Sequence, residues 1–324
     1  MIYIAERDSA SVLAKSHKSS KTGVTQSSNA TAVFGTSVAC ILQPEVTYGP
    51  YYVSGEYIRH DMRESQLGVD LYVDVQVIDT SSCTTIPGIY IELWHCNSTG
   101  VYSGVVASGN GNSADTSNLN ATFHRGLFKT NSDGIAQGIT KFPGHYTGRA
   151  SHIHVIAHMN GTILANNTYI SNNYAHIGQI FFDQDLISSV EATSPYSTNT
   201  QQLTTNSKDN LLAEETGNSF DPIVQYVWLG DFVSDGIFAW ISIGVNTQYN
   251  QAVSPAAYLT AHGGVANANG GFFGPGGGVP SVAGAVVSVL VLLALGGLAW
   301  YKGADIKDFV AKRWDQLPFQ RLKE

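Results

Sequence analysis

Residues 142–155 read Phe-Pro-Gly-His-Tyr-Thr-Gly-Arg-Ala-Ser-His-Ile-His-Val, and the alternation of polar and apolar residues in the second half decides how the chain is read. In a strand, side chains two apart share a face, so His152 and His154 point together while Ile153 and Val155 face the opposite layer. Two imidazoles side by side make half a metal site, although a lone H-x-H also fits surface or hydrogen-bonded core histidines. Tyr146 precedes the pair, and Thr147-Gly148 can turn the chain so that its phenol returns towards the imidazoles. A second tyrosine, Tyr102, ends the strand-like stretch Ile91-Glu-Leu-Trp-His-Cys-Asn-Ser-Thr-Gly-Val-Tyr-Ser-Gly104, where Ser98-Thr99-Gly100 supplies a turn that re-aims the side chain.

Outward from this cluster, 71–78, 89–94, 151–158, 177–182 and 237–245 are short runs of β-branched and aromatic residues. Turn signals such as Pro87-Gly88, Ser132-Asp133-Gly134 and Asp235-Gly236 separate them. The pattern predicts an all-β domain, a β-sandwich, over 39–248. Residues 1–38, rich in Ser, Ala, Thr and Lys without helical or strand period, read as a disordered N-terminal arm. After the domain, 249–278 reads as a Gly/Ala/Asn-rich linker. The uncharged run 279–301 is long enough for a transmembrane helix, with Trp300, Tyr301 and Lys302 as interface anchors. The polar tail 302–324 has more basic than acidic residues, which puts the tail in the cytosol and the domain outside the cell or in a lumen. A tail-anchored topology with a cytosolic domain fits the same helix, because 1–24 holds no apolar run resembling a signal peptide.

A net charge of −8 without a basic aromatic patch excludes nucleic acid as a partner. Cys40, Cys83 and Cys96 match no zinc spacing. A possible disulfide among them, with N-x-S/T sequons at Asn29, Asn97, Asn120, Asn160 and Asn166, leans towards a secretory compartment.

The chain resembles the intradiol ring-cleavage dioxygenases, in particular fungal extracellular members, from about Cys40 to Val245. The resemblance is carried by four ordered motifs: LQPEVTYGPYYV (42–53), ELWHCNSTGVYSG (92–104), FPGHYTGRASHIHV (142–155) and IGQIFFDQDL (177–186). It implies one Fe(III) per domain, held by Tyr102, Tyr146, His152 and His154. Arg149 would be a supporting cation and Gln179 a polar residue near the substrate. It also implies cleavage of a catechol-type diol between its two hydroxylated carbons, with O2, to a muconate-type diacid. Tyr146 would be the ligand that lets go when substrate binds, and Tyr102 would stay. Independently of the family, two tyrosinates and a hydroxide would neutralise a trivalent ion, which a poorly solvated site favours. Gln179 lies 25 residues beyond His154, so its role requires the Asn-rich stretch between them to form a simple loop insertion. Tyr48 stands where related fungal sequences would carry an acidic residue. The N-terminal helical segment that dimerises bacterial catechol dioxygenases is missing, so oligomeric state is not inherited.

Two other readings compete. One is a catalytically inactive, membrane-anchored binding or structural sandwich. The other is a metal-dependent hydrolase using His152 and His154, which needs a third histidine or a carboxylate on the same face, with His145 and His158 as candidates.

Overall fold

The computed structural model describes residues 8–36 and 39–268. Along the chain come α1 (Ser9–Leu13), α2 (Ala30–Phe34), β1 (Val53–Ser54), β2 (Asp70–Asp79), β3 (Thr84–Thr85), β4 (Tyr90–Trp94), β5 (Arg125–Lys129), β6 (Ile135–Lys141) and β7 (His152–His158). Then follow β8 (Thr162–Ile163), β9 (Tyr169–Ile170), β10 (Tyr174–Phe181), α3 (Gln184–Glu191), α4 (Asn210–Glu215), β11 (Gln225–Trp228), β12 (Ile237–Val245), β13 (Ala257–Thr260) and β14 (Gly263–Ala266).

Two sheets carry the domain. One has the order β10-β7-β4-β5; in the other, β11, β12 and β2 run side by side, with β6 and β3 also paired to β2. Their inner faces share one core, to which β2 gives Val73, Val75 and Val77, β4 gives Ile91 and Leu93, β7 gives Ile153, Val155 and Ala157, and β12 gives Ile241 and Ile243. The expected sandwich is therefore present. Burial of each of these Val, Ile and Leu side chains contributes about 1.5–3 kcal/mol. A one-residue slip of β7 would drive His152 and His154 into this core and expel Ile153 and Val155, so the register is fixed by packing.

The N-terminal arm departs from its expected disorder. Residues 8–36 carry α1 and α2 and are docked: Val12 packs with Ala150, Phe181, Leu212 and Ile223, while Val24 and Val33 pack with Val227, Phe238 and Trp240. His17 is fully buried between Asp183 and Asp221. Single apolar residues spaced far apart each find a surface built elsewhere in the chain, so no local periodicity marks them.

The structured body also runs past 248 into what reads as linker. The hairpin β13–β14 joins β1, with Val53 pairing Ala257 in parallel, as a third small sheet. Here the Gly-rich composition serves close packing, since a Cβ at Gly264 would collide with the Leu119 carbonyl. The apolar run 279–301, expected to span a membrane, and the tail 302–324 lie outside the described residues; among the described residues no helix is long and apolar enough to cross a membrane. Cys40 and Cys83 form a disulfide with Cα atoms 5.3 Å apart, and Cys96 is a buried free thiol.

Candidate functional site

Because Ile153, Val155 and Ala157 face the sandwich core, His152 and His154 project from the outer face of the β10-β7-β4-β5 sheet, as their alternation predicts. Two loops cover that face. After β4, Asn97 shapes a turn by accepting at Oδ1 from the backbone N–H groups of Thr99 and Val101, and Gly100 takes φ +83°. This turn aims Tyr102 inward. Before β7, Tyr146 and Arg149 pair as a bridge across Thr147-Gly148, with the Arg149 N–H donating to the Tyr146 carbonyl, and this second turn returns the Tyr146 phenol.

The four side chains converge. Tyr102 Oη lies 3.3 Å from His152 Nε2, 3.4 Å from His154 Nε2 and 3.4 Å from Tyr146 Oη. Tyr146 Oη is 3.3 Å from His152 Nε2, and the two Nε2 atoms are 3.2 Å apart. Donors that share one ion at about 2.0–2.1 Å each lie about 3.0–3.4 Å from one another, so these spacings suit a common cation. His152 Nδ1 donates to the Ala150 carbonyl at 2.6 Å, which leaves its Nε2 lone pair facing the cluster. The His154 ring stacks on Trp94, its cross-strand partner, at 3.7 Å and 2°. Gly49 closes over that stack with φ +82°; a Cβ there would stand 2.7 Å from His154 Cε1.

Burial, reinforced by Arg149, lowers His152 to about 3, and burial together with His152 holds His154 well below the usual imidazole range. Burial raises Tyr146 to about 12 and Tyr102 well above its ordinary value. The protein alone thus holds two neutral imidazoles and two protonated phenols.

Arg149 and Gln179 meet beside the cluster. Gln179 pairs with His154 across β10 and β7, because the intervening stretch folds away as the β8–β9 hairpin. Arg149 Nη2 donates to Gln179 Oε1 at 2.5 Å, and Arg149 Nε to Asp209 Oδ2 at 2.9 Å. Asp209 also accepts from the Ala150 N–H and caps α4, so one carboxylate fixes the arginine, the strand entry and a helix. Tyr48 is buried among Tyr52, Trp94 and Tyr102.

His145 and His158, the candidates for a third imidazole, are engaged elsewhere. His145 bonds Glu191 and the Gln201 carbonyl, and His158 bonds Glu92 at 2.7 Å. Among the described residues no group of three His, Cys, Asp or Glu side chains gathers to hold a metal ion.

Sequence reasoning passed over Trp94, Asp209 and Arg125. The Arg125 guanidinium is fully buried, donates to the carbonyls of Ser103 and Tyr51, and lies 5.0 Å over the Trp94 ring. It therefore braces both the Tyr102 loop and the ring on which His154 rests. Asp209 carries a legible signal as the N-cap before Asn210–Glu215, but its pairing with Arg149 spans 60 residues and no local pattern shows it.

In fold the chain is similar to the intradiol ring-cleavage dioxygenases, a class of oxidoreductases. The chain's structural neighbours belong to that class: an intradiol ring-cleavage dioxygenase from Tetranychus urticae matches with TM-score 0.54 and 29% identity, covering 65% of this chain and 97% of that one. A second solved dioxygenase matches with TM-score 0.54 and 29% identity over 66% of this chain and 98% of that one. Catechol 1,2-dioxygenase from Acinetobacter sp. ADP1 aligns at 18% identity and TM-score 0.41, over 64% of this chain and 63% of that chain. No family model matches the chain, and no curated protein does.

Proposed function

We propose that the chain cleaves a catechol-type diol with O2 between its two hydroxylated carbons, and that Tyr102, Tyr146, His152 and His154 hold the Fe(III) the reaction uses. The observation that carries this reading is the convergence of two phenol oxygens and two imidazole nitrogens at 3.2–3.4 Å. A hard trivalent cation suits such a donor set and would displace the two phenol protons. Bound there, Fe(III) would draw electron density from the chelated diol and make its ring reactive towards O2.

The chain's own residues divide the remaining work. Tyr102 and both histidines are buried, and their backbone or ring contacts fix them. Tyr146 is half-buried beside the exposed Thr147 and Gly148, so its phenolate can swing out and accept a diol proton at Oη. Arg149, oriented by Asp209 and Gln179, presents a fixed cation where negative charge develops on the ring. The Cys40–Cys83 disulfide supports an extracellular or lumenal placement of the domain.

The test is metal analysis of the full chain with an optical spectrum before and after catechol is added under air. About one iron per chain, a visible tyrosinate-to-iron band that shifts with catechol, and a muconate-type product are expected. A colourless protein carrying zinc, or catechol consumed to a quinone without ring opening, would sink the reading.

A further inference from the structure

The β8–β9 hairpin, which leaves the sheet between β7 and β10, carries three of the eight exposed large hydrophobic side chains among the described residues: Ile163, Leu164 and Ile170 are 53%, 38% and 43% exposed. The hairpin is nonetheless firmly attached. The Tyr169 N–H donates to the Glu56 carbonyl at 3.0 Å, the Ile58 N–H to the Asn167 carbonyl at 2.9 Å, and the Gly161 N–H to Tyr169 Oη at 2.8 Å. Apolar side chains gathered on a fixed, exposed element call for a cover. Two of the five sequons stand on this hairpin, Asn160-Gly161-Thr162 at its base and Asn166-Asn167-Thr168 in its turn, with Ile163 and Leu164 between them. Both asparagines are exposed. Thr168 Oγ1 donates to Asn166 Oδ1 at 2.8 Å, so the amide oxygen is engaged and the nitrogen, the atom a sugar would use, is left over. Asn97 is the contrast: it is half-buried, its Oδ1 accepts from the Thr99 and Val101 N–H groups, and its Nδ2 donates to Gln66 Oε1 at 3.4 Å. A sugar there would displace Gln66 and strain the turn that aims Tyr102.

We propose that Asn160 and Asn166 carry N-linked glycans, that these cover the apolar hairpin, and that the Asn97 sequon stays bare. In the transfer, Asn Nδ2 bonds to the anomeric carbon of an oligosaccharide carried on a lipid diphosphate. The sugar–phosphate bond breaks, the diphosphate leaves with the bonding pair, and the amide gives up one proton. Such glycans are bulky and solubilising, as an exposed Ile-Leu surface requires. They would also stand clear of the donor cluster, because His152 opens β7 and the hairpin follows its last residue, His158, about 20 Å along the strand. The inference rests on the extracellular or lumenal placement proposed above and is independent of the ring-cleavage chemistry.

The experiment purifies the full chain from the cells that make it, digests it without reduction, and treats the peptides with peptide N-glycosidase in heavy-oxygen water before mass spectrometry. Labelled aspartate is expected at positions 160 and 166, with unmodified asparagine at 97. The same digest reports the Cys40–Cys83 link. If that link is present and neither hairpin asparagine is labelled, the glycan assignment falls and the placement stands; if the cysteines are reduced and no sugar is found, both fall. Label at 97 would overturn the contrast drawn from its amide contacts. Thr162→Ala and Asn166→Asp change exposed residues, and the latter keeps the oxygen that Thr168 engages. Each should lose one glycan step on a gel. The double variant should bind more hydrophobic dye and elute as larger species at unchanged iron content, even though the added aspartate charge works against association. A double variant that stays monodisperse and binds no more dye would overturn the shielding role.

Discussion

Tyr102 and Tyr146 present the same phenol from unlike supports, and that difference assigns them different roles. The Tyr102 backbone N–H donates to Asn110 Oδ1, and its carbonyl accepts from the Asn110 and Asn118 side-chain amides, all at 2.8 Å, while Tyr51 and Trp94 pack on its ring. Tyr146 stands on a tight turn whose two middle residues are exposed. Tyr102→Phe should therefore weaken iron retention by at least about tenfold, the scale on which even supporting residues of metal sites act. Tyr146→Phe should retain iron, shift the visible band and slow turnover by about a hundredfold, the loss typical of a missing general base. Metal analysis and steady-state rates on both variants check this, and equal iron loss in the two would remove the distinction. At this scale the sequence was informative wherever a period or a turn carries the signal: the H-x-H alternation placed both imidazoles, and Thr147-Gly148 returned Tyr146 to them. Contacts that bridge distant segments carry no such mark, which is why Trp94 under His154 and Asp209 behind Arg149 emerged only from the fold.

Elements were legible where they bury a continuous face and illegible where they dock by isolated residues. β7 and β12 announce themselves through their own apolar alternation or run, whereas α1 and α2 are five residues each and hold on through Val12 and Val33. The arm is also held by charge. His17 Nδ1 lies 2.7 Å from Asp183, and Nε2 lies 3.1 Å from Asp221, which Lys15 also approaches at 3.4 Å. Burial alone would lower the His17 pKa, but the two carboxylates outweigh it and raise the value. A raised folded pKa means that the stabilisation is complete below about pH 6.5, the unfolded value, and is lost as pH rises through the folded value. Limited proteolysis within residues 8–36 should thus accelerate in mildly alkaline buffer while the sandwich stays intact. His17→Gln should cut at a rate largely independent of pH in the same window. A wild-type arm equally protected on both sides of the transition would show that apolar docking alone holds it.

At the scale of the molecule, the two sheets divide their outer faces: one carries the donor cluster, and the other is covered by residues 24–33 of the arm. The sandwich itself was readable because its runs and turns repeat, while its third sheet was hidden by Gly-rich residues that read as linker. The division has a mechanical consequence at the Cys40–Cys83 disulfide, which ties the start of the domain to the β2–β3 connection in the layer away from the donor cluster. Its partners are 43 residues apart, and closing a loop of that length in the unfolded chain is worth about 4 kcal/mol in the chain-entropy account. A Cys40→Ala/Cys83→Ala double variant should therefore lose roughly that free energy of unfolding, with a larger m-value, because the unfolded chain without the cross-link exposes more surface. Its iron content, tyrosinate band and catechol turnover below the transition should match the wild type, because none of the four donors touches either cysteine's sheet edge. Substitution is the right perturbation here, since a thiol reductant would also reduce a ferric ion held by the proposed donors. Loss of the visible band in the folded double variant would mean that the layers are coupled, and that the geometry at Tyr102 and His154 depends on the covalent tie across the sandwich.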